Sequence, residues 1–209
     1  MKKKLLSLFL ALLLCLLSLC SCNAPDESDE ELLEIFSALI EESKEVNRLI
    51  FGEGILPDEN GVKIGAYTEA SAESLASFGV NSVEDIKEKA KRVYSLATCA
   101  WIENTLFASS KDEDLGQVLT YARYYKGVVE LADKSKKELF LVYTDYKSTV
   151  GEVDYTNFAI KEKSKNLVKF SLTITISHEG KSRSYADTLT IFKEDHGWRL
   201  DAPSYATWE

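Results

Sequence analysis

Histidine is the side chain that most often acts as a general base or metal ligand near neutral pH. The chain has two, His178 and His196, both in predicted turns, His178 in His178-Glu179-Gly180 and His196 directly beside Gly197. Successive turns of an antiparallel meander lie at opposite ends of the sheet. The two imidazoles are therefore expected a strand length apart and not on a shared metal. No cysteine and histidine cluster has zinc spacing. Gly180-Lys181-Ser182 matches the end of a phosphate-binding loop, but the glycine required five residues earlier is Thr175. Asp112-x-Asp114 opens like a calcium loop, yet the sixth position is Gln117 and the twelfth is Arg123. There is no Gly-x-Ser-x-Gly elbow. Cys99 lies among Ala97, Ala100 and Trp101 in a helical stretch, where a small buried thiol is expected rather than a nucleophile. No cofactor and no metal are expected.

Tyrosine is abundant where catalytic residues are scarce. Tyr121, Tyr124, Tyr125, Tyr143, Tyr146 and Tyr155 fall in one stretch, and Tyr94 and Trp101 precede it. Each tyrosine offers a rigid apolar face with a polar tip, which suits a pocket lining or a protein interface. Tyr94, Trp101, Tyr124 and Tyr143 are the residues expected to meet a ligand or partner, lining one pocket or the rim of one groove. The other reading has the tyrosines packed along a sheet edge with their hydroxyls in water. Trp198 is expected in the core and Trp208 at the chain's end. An enzyme would need a carboxylate beside a tyrosine in a cone-shaped sheet, and Asp187 and Glu103 are the candidates.

One cysteine carries a different chemistry. Lys2-Lys3-Lys4 precedes an apolar run from Leu5 to Leu19 that holds only Ser7 and Ser18 as polar residues. This is the layout of a secretion signal, and the run is shorter than the ~20 residues of a membrane span. Leu19-Cys20-Ser21-Cys22 resembles the lipobox of bacterial lipoproteins. That resemblance implies cleavage before Cys22 and acylation of its thiol, which would hold the chain on the outer face of the cell membrane. Residues 1–21 are thus read as signal peptide, 22–29 as an acidic tether and 30–209 as one domain. Processing would leave 188 residues, enough for a core without disulfides. Cys99 would be the sole free thiol. The removed segment contains three lysines and no acids, so the net charge moves from −9 to −12. Such a surface disfavours nucleic acid and anionic lipid headgroups as partners. The expected partners are the bilayer, through acylated Cys22, and an envelope protein or small ligand.

These residues need elements to position them. Leu32, Phe36, Leu39, Ser43, Val46 and Ile50 recur at spacings of three and four, so a helix is predicted from about Glu30 to Ile50, ending at Phe51-Gly52-Glu53-Gly54. A loop with a turn follows at Pro57 and Asn60-Gly61, and Val62–Tyr67 reads as a short strand. A second helix opens at Ser82, with Asp85 three residues on and a stripe of Val83, Ile86, Ala90, Val93, Ala97 and Ala100. It reaches about Phe107, with a break near Ser95.

From Leu119 the period becomes that of strands, at Tyr121–Leu131 and Leu139–Tyr143. Val168, Phe170, Leu172, Ile174 and Ile176 then alternate with polar residues, giving a long strand with one buried face. Tyr155–Lys163, Arg183–Phe192 and Trp198–Asp201 flank it across short turns, which makes a meander. Helices first and strands afterwards define an α+β domain, with helices on a twisted antiparallel sheet of about 4–6 strands, cone-like in shape.

The element order resembles small lipoproteins of Gram-positive gut anaerobes, through Phe51-Gly52-Glu53-Gly54-Ile55-Leu56-Pro57, the helix from Ser82 and the closing Gly197-Trp198-Arg199-Leu200-Asp201-Ala202-Pro203-Ser204-Tyr205. The layout is also similar to the nuclear-transport-factor-like cone, the cystatin-like fold and, loosely, secreted inhibitors of cell-wall endopeptidases. The resemblance implies a location and a fold and brings no catalytic motif. The reading is a membrane-anchored, non-enzymatic binding module.

Overall fold

A computed structural model describes residues 24–108, 110–111, 118–130, 133–148 and 152–206. Residues 1–21, read from sequence as a signal, together with Cys22, the Asp112–Asp114 loop and Trp208, lie outside the described residues. Among the described residues no helix is long and apolar enough to cross a membrane.

Helix α1 spans Asp29–Ile50. Ser28 accepts from the Glu31 backbone N–H and Glu31 reaches back to the Ser28 backbone, a reciprocal cap that satisfies two orphan donors. Every member of the expected stripe from Leu32 to Ile50 is buried. The helix stops where the chain turns back at Gly54. Its φ of +66° favours glycine, and a Cβ there would lie 2.1 Å from Arg123 Nη2 and 2.2 Å from Tyr124 Oη.

Strands β1 (Lys63–Ile64) and β2 (Tyr67–Glu69) form a small hairpin where one strand is expected. Short helix α2 (Ala72–Ser77) leads to α3 (Val83–Val93), capped by Ser82 and Asp85 as the sequence implies. The break near Ser95 is present. Tyr94 is extended, Ser95 N donates to Leu200 O at 2.8 Å, and Ser95 caps a new helix, α4 (Leu96–Ile102), which runs into a π-turn at Glu103–Phe107. That break resets the phase of the stripe. Ala97 and Ala100 are exposed, and Thr98 and Ile102 are buried instead.

The strands that follow are β3 (Ser110–Lys111), β4 (Val118–Thr120), β5 (Tyr124–Glu130), β6 (Lys136–Tyr143), β7 (Glu152–Ser164), β8 (Leu167–His178), β9 (Lys181–Glu194) and β10 (Gly197–Leu200). The fold is α+β. Its main strands are divided between two antiparallel four-stranded sheets rather than gathered in one, and one of the two curls into a half-barrel. The larger sheet is the expected meander, in the order β10-β9-β8-β7. The smaller has the order β1-β2-β6-β5. It takes two strands from before α2 and two from after the π-turn, a pairing that local periodicity does not specify.

In β8 the residues Val168, Phe170, Leu172, Ile174 and Ile176 are all buried, and their polar alternates are not. A one-residue slip would send this whole row to water, so the register is firmly set. Leu172→Ala is expected to destabilise the protein by about 2–5 kcal/mol. Urea unfolding measures it, and a loss below about 0.5 kcal/mol would contradict the observed burial.

Candidate functional site

The four aromatic residues expected at one pocket are distributed over four places. Tyr94 is only 1 % exposed. It leaves the end of α3 and enters a polar network inside the core, where its hydroxyl donates to Asn47 Oδ1. Asn47 Nδ2 donates to Ser204 O at 2.8 Å, Tyr155 Oη donates to the same carbonyl, and Ser204 Oγ donates to Ser43 Oγ. The network fastens the closing segment across α1. Burial pushes the Tyr94 phenol up to about 12 and the Tyr155 phenol higher still, so both are fixed as neutral donors rather than bases.

Tyr124 is also 1 % exposed. Its hydroxyl donates to Leu49 O at 2.6 Å and accepts from Ile55 N at 3.0 Å, which ties β5 to the end of α1. Expectation is corrected at both residues: their hydroxyls are engaged inside the fold and their rings are out of reach of a partner. Trp101 is 44 % exposed, with its ring centroid 6.1 Å from that of Phe51.

Tyr143 is different, and the pleat explains it. In the smaller sheet Tyr124 pairs with Val142, and Tyr125 pairs with Leu141. Successive residues point to opposite faces. Tyr124, Phe140 and Val142 therefore face the main core, while Tyr125, Leu141 and Tyr143 face away from it. Tyr67 of β2, the register partner of Tyr143, lies on this second face, and Tyr121 joins it just before β5.

The four rings form one cluster. Tyr121 stacks on Tyr143 with centroids 4.8 Å apart, and Tyr67 lies 5.7–6.1 Å from Tyr121, Tyr125 and Tyr143. Tyr125 is 51 % exposed and Tyr121 40 %. Ile64 and Val128 are exposed apolar residues of the same small sheet. Gly127, next but one to Tyr125, has no side chain because a Cβ would fall 2.4 Å from Leu141 Cδ1. That lets Leu141 be fully buried in the middle of the face. Glu69 and Lys137 form an ion pair at 3.1 Å and are among the charged residues of this sheet. This cluster is the candidate binding surface. Of its members, Tyr67, Tyr121 and Tyr125 are not among the expected contact residues. What identifies them is register: with Tyr125 opposite Leu141, Tyr143 shares a face with Tyr125 and not with Tyr124.

A cleft of about 340 Å³ opens beside the C-terminal half of α1. Asn47, Tyr155 and Ser204 line it, with Lys44, Arg48, Glu53 and Glu152 among its charged residues. Asn47 and Tyr155 are both engaged with Ser204, and Arg48 is paired with Glu53.

The residues weighed for catalysis lie elsewhere. Asp187 is exposed on β9, where it accepts from the Thr188 N–H at 2.7 Å. Glu103 is exposed and pairs with Lys87. His178 and His196 stand at opposite ends of β9. Among the described residues no group of three or more His, Cys, Asp or Glu could hold a metal ion.

Cys99 is half-buried and its Sγ donates to Tyr94 O at 3.6 Å. Burial pushes the thiol up to about 11, with Glu194 adding to the effect. Because the thiolate is the reactive form, alkylation of Cys99 in the folded protein at neutral pH is expected to be about a hundredfold slower than in the urea-unfolded chain, as two pKa units imply. Equal rates in a timed iodoacetamide reaction would contradict this environment.

No protein-family model matches the chain, and no curated protein matches it in sequence.

Proposed function

We propose that this chain is a lipid-anchored, extracytoplasmic module that binds a protein of the cell envelope through the Tyr67–Tyr121–Tyr125–Tyr143 face and catalyses no reaction. The observation that carries the reading is this tyrosine cluster, which is partly open to solvent on a sheet face turned away from the core. Interface hot spots are enriched in tyrosine, and a shallow aromatic face with buried leucine beneath it suits a protein surface. The anchor is supported by Leu19-Cys20-Ser21-Cys22 after the apolar run. Two acyl chains on Cys22 would provide firm attachment, at ~0.8 kcal/mol per buried CH₂. The enzyme alternative has less support, because Asp187 and Glu103 are both exposed and neither adjoins the cleft's tyrosine.

The test has two arms. Cys22→Ser should lose incorporation of labelled fatty acid, and retained label would end the anchor reading. A photo-crosslinking residue placed at Tyr125 should capture an envelope protein that the same residue at Lys181 does not. Tyr125→Ala and Tyr143→Ala should then weaken that partner by about 30-fold or more, as ~2 kcal/mol at a hot spot implies. If melting temperature falls while affinity per folded molecule holds, the tyrosines serve packing alone and the reading fails.

A further inference from the structure

The acidic stretch before α1 is expected to be a free tether, but its second half is built into the fold. Glu27 Oε1 accepts from Lys193 Nζ at 2.9 Å and from the Trp198 indole N–H at 2.9 Å. Asp26 lies 3.8 Å from the same lysine, and Asp29 is bonded to Lys163. The Glu27 side chain is mostly covered, and Trp198 is buried. Burial raises the Glu27 carboxyl, but the bonds from Lys193 and Trp198 outweigh it and hold the group below its usual range. The chain is thus pinned at Glu27, and only Asn23, Ala24, Pro25 and Asp26 separate that point from Cys22. Five Cα-to-Cα steps span at most about 18 Å.

The pinned end is one definite end of the molecule. Lys163 stands just before the Ser164–Asn166 turn, and Lys193 N donates to Asn166 O at 2.9 Å, so the β7–β8 and β9–β10 turns lie side by side there. The turn at His178–Gly180 lies beyond the other end of β8, whose 12 residues extend about 36 Å. Helix α1 runs the same way for 22 residues, about 33 Å. Its far end receives Arg123 and Tyr124 at the start of β5, so the tyrosine cluster is carried at that far end.

We infer that the surface made by the N-terminus of α1, the Ser164–Asn166 turn and the Asp195–Gly197 turn rests on the lipid bilayer, with the tyrosine face held about 30 Å or more above it. The inference rests on reading Cys22 as the lipid-bearing residue. A short span leaves little freedom to tumble, since a folded body cannot rotate through a membrane to which it is tied within about 18 Å. The charges at this end are mixed: Asp26, Glu27, Asp29, Glu30, Glu31 and Asp195 stand beside Lys163, Lys165 and Lys193, so the short span from the anchor, and not charge, carries the orientation.

Lysine footprinting tests this on the full, lipid-modified protein in vesicles of phosphatidylcholine and phosphatidylglycerol. A membrane-impermeant amine-acylating reagent is applied, and labelling is read by peptide mass spectrometry against soluble Cys22→Ser protein. Lys165 is expected to lose at least fivefold of its labelling on vesicles, while Lys63 and Lys181 change less than twofold. Equal labelling of Lys165 in both forms, or greater protection of Lys63 or Lys181, overturns the orientation. Glu27→Ala, which frees the tether, should return most of the labelling at Lys165 without loss of fold, and unchanged protection there would count against the pinned tether. The N-terminal peptide separates the two readings. If it carries no acyl mass, the anchor reading fails. The same footprint is then run on Cys99→Ser protein with a synthetic two-chain lipid coupled to the Cys22 thiol, and it decides the orientation by the same criteria.

Discussion

Phe36→Ala is expected to lower the free energy of unfolding by about 3–5 kcal/mol. Phe36 has no exposed surface. Its ring stacks on Phe170 of β8 with centroids 4.0 Å apart and planes 6° off parallel, and it meets the edge of Phe158 of β7 at 5.1 Å. Truncation removes the burial of a whole ring and leaves a void between a helix and two strands. These elements are fixed by their own hydrogen bonds and can collapse only partly. Aromatic pairing adds about 0.5–1.5 kcal/mol beyond area for each good pair. Phe36→Leu keeps much of the volume and should cost roughly half as much. Urea unfolding with an unchanged m-value checks both variants. A loss under about 1 kcal/mol for the alanine would mean that α1 does not seat on the larger sheet as described.

Phe36 also shows what the sequence makes legible. It belongs to a stripe with a period of 3.6, its partner Phe170 belongs to a row with a period of 2, and both rows are complete over several turns or pleats. Such patterns follow from local geometry, so α1 and the β7–β10 meander can be read directly. The smaller sheet cannot. Its four strands come from Lys63–Glu69 and Tyr124–Tyr143, and its two outer faces differ in what they meet rather than in hydrophobicity. Tyr124 and Tyr125 are chemically identical neighbours, yet one is fully buried and the other half exposed. Only the register with Val142 and Leu141 separates them. For the same reason Tyr94 looks available from sequence. Its place at the end of a helix follows from a break whose partner, Leu200, lies more than a hundred residues away. The Asp26–Asp29 stretch reads as a solvated acidic tether because nothing local shows that Lys163, Lys193 and Trp198 converge on it.

Arg123→Ala is the second substitution expected to have a large effect, about 3–5 kcal/mol. This residue is easy to pass over as a surface charge, yet it is 2 % exposed. Its Nη1 donates to Ile50 O and its Nη2 to Gly52 O at 2.7 Å, two carbonyls at the end of α1 that have no partner within the helix. The guanidinium lies 3.8 Å from the Tyr146 ring centroid and 5.2 Å from that of Tyr124. Among the described residues its charge is met by carbonyl oxygens, by the negative end of the helix and by aromatic faces. Removing the side chain leaves two buried acceptors without their donors, at about 1–3 kcal/mol each, and opens a gap beneath Gly54. Burial lowers the Arg123 pKa, but an arginine starts so high that it keeps its proton at ordinary pH, so the effect of the substitution should be flat from about pH 5 to 9. Arg123→Lys keeps the charge but loses the planar fork that serves both carbonyls while stacking on Tyr146, and it should recover less than half of the lost stability. Tyr146→Ala, alone and together with Arg123→Ala, completes a double-mutant cycle whose coupling energy reports the cation–π contact. Wild-type stability in Arg123→Lys would show that charge alone holds the end of α1, and a loss under about 1 kcal/mol in Arg123→Ala would show that the carbonyls find other donors.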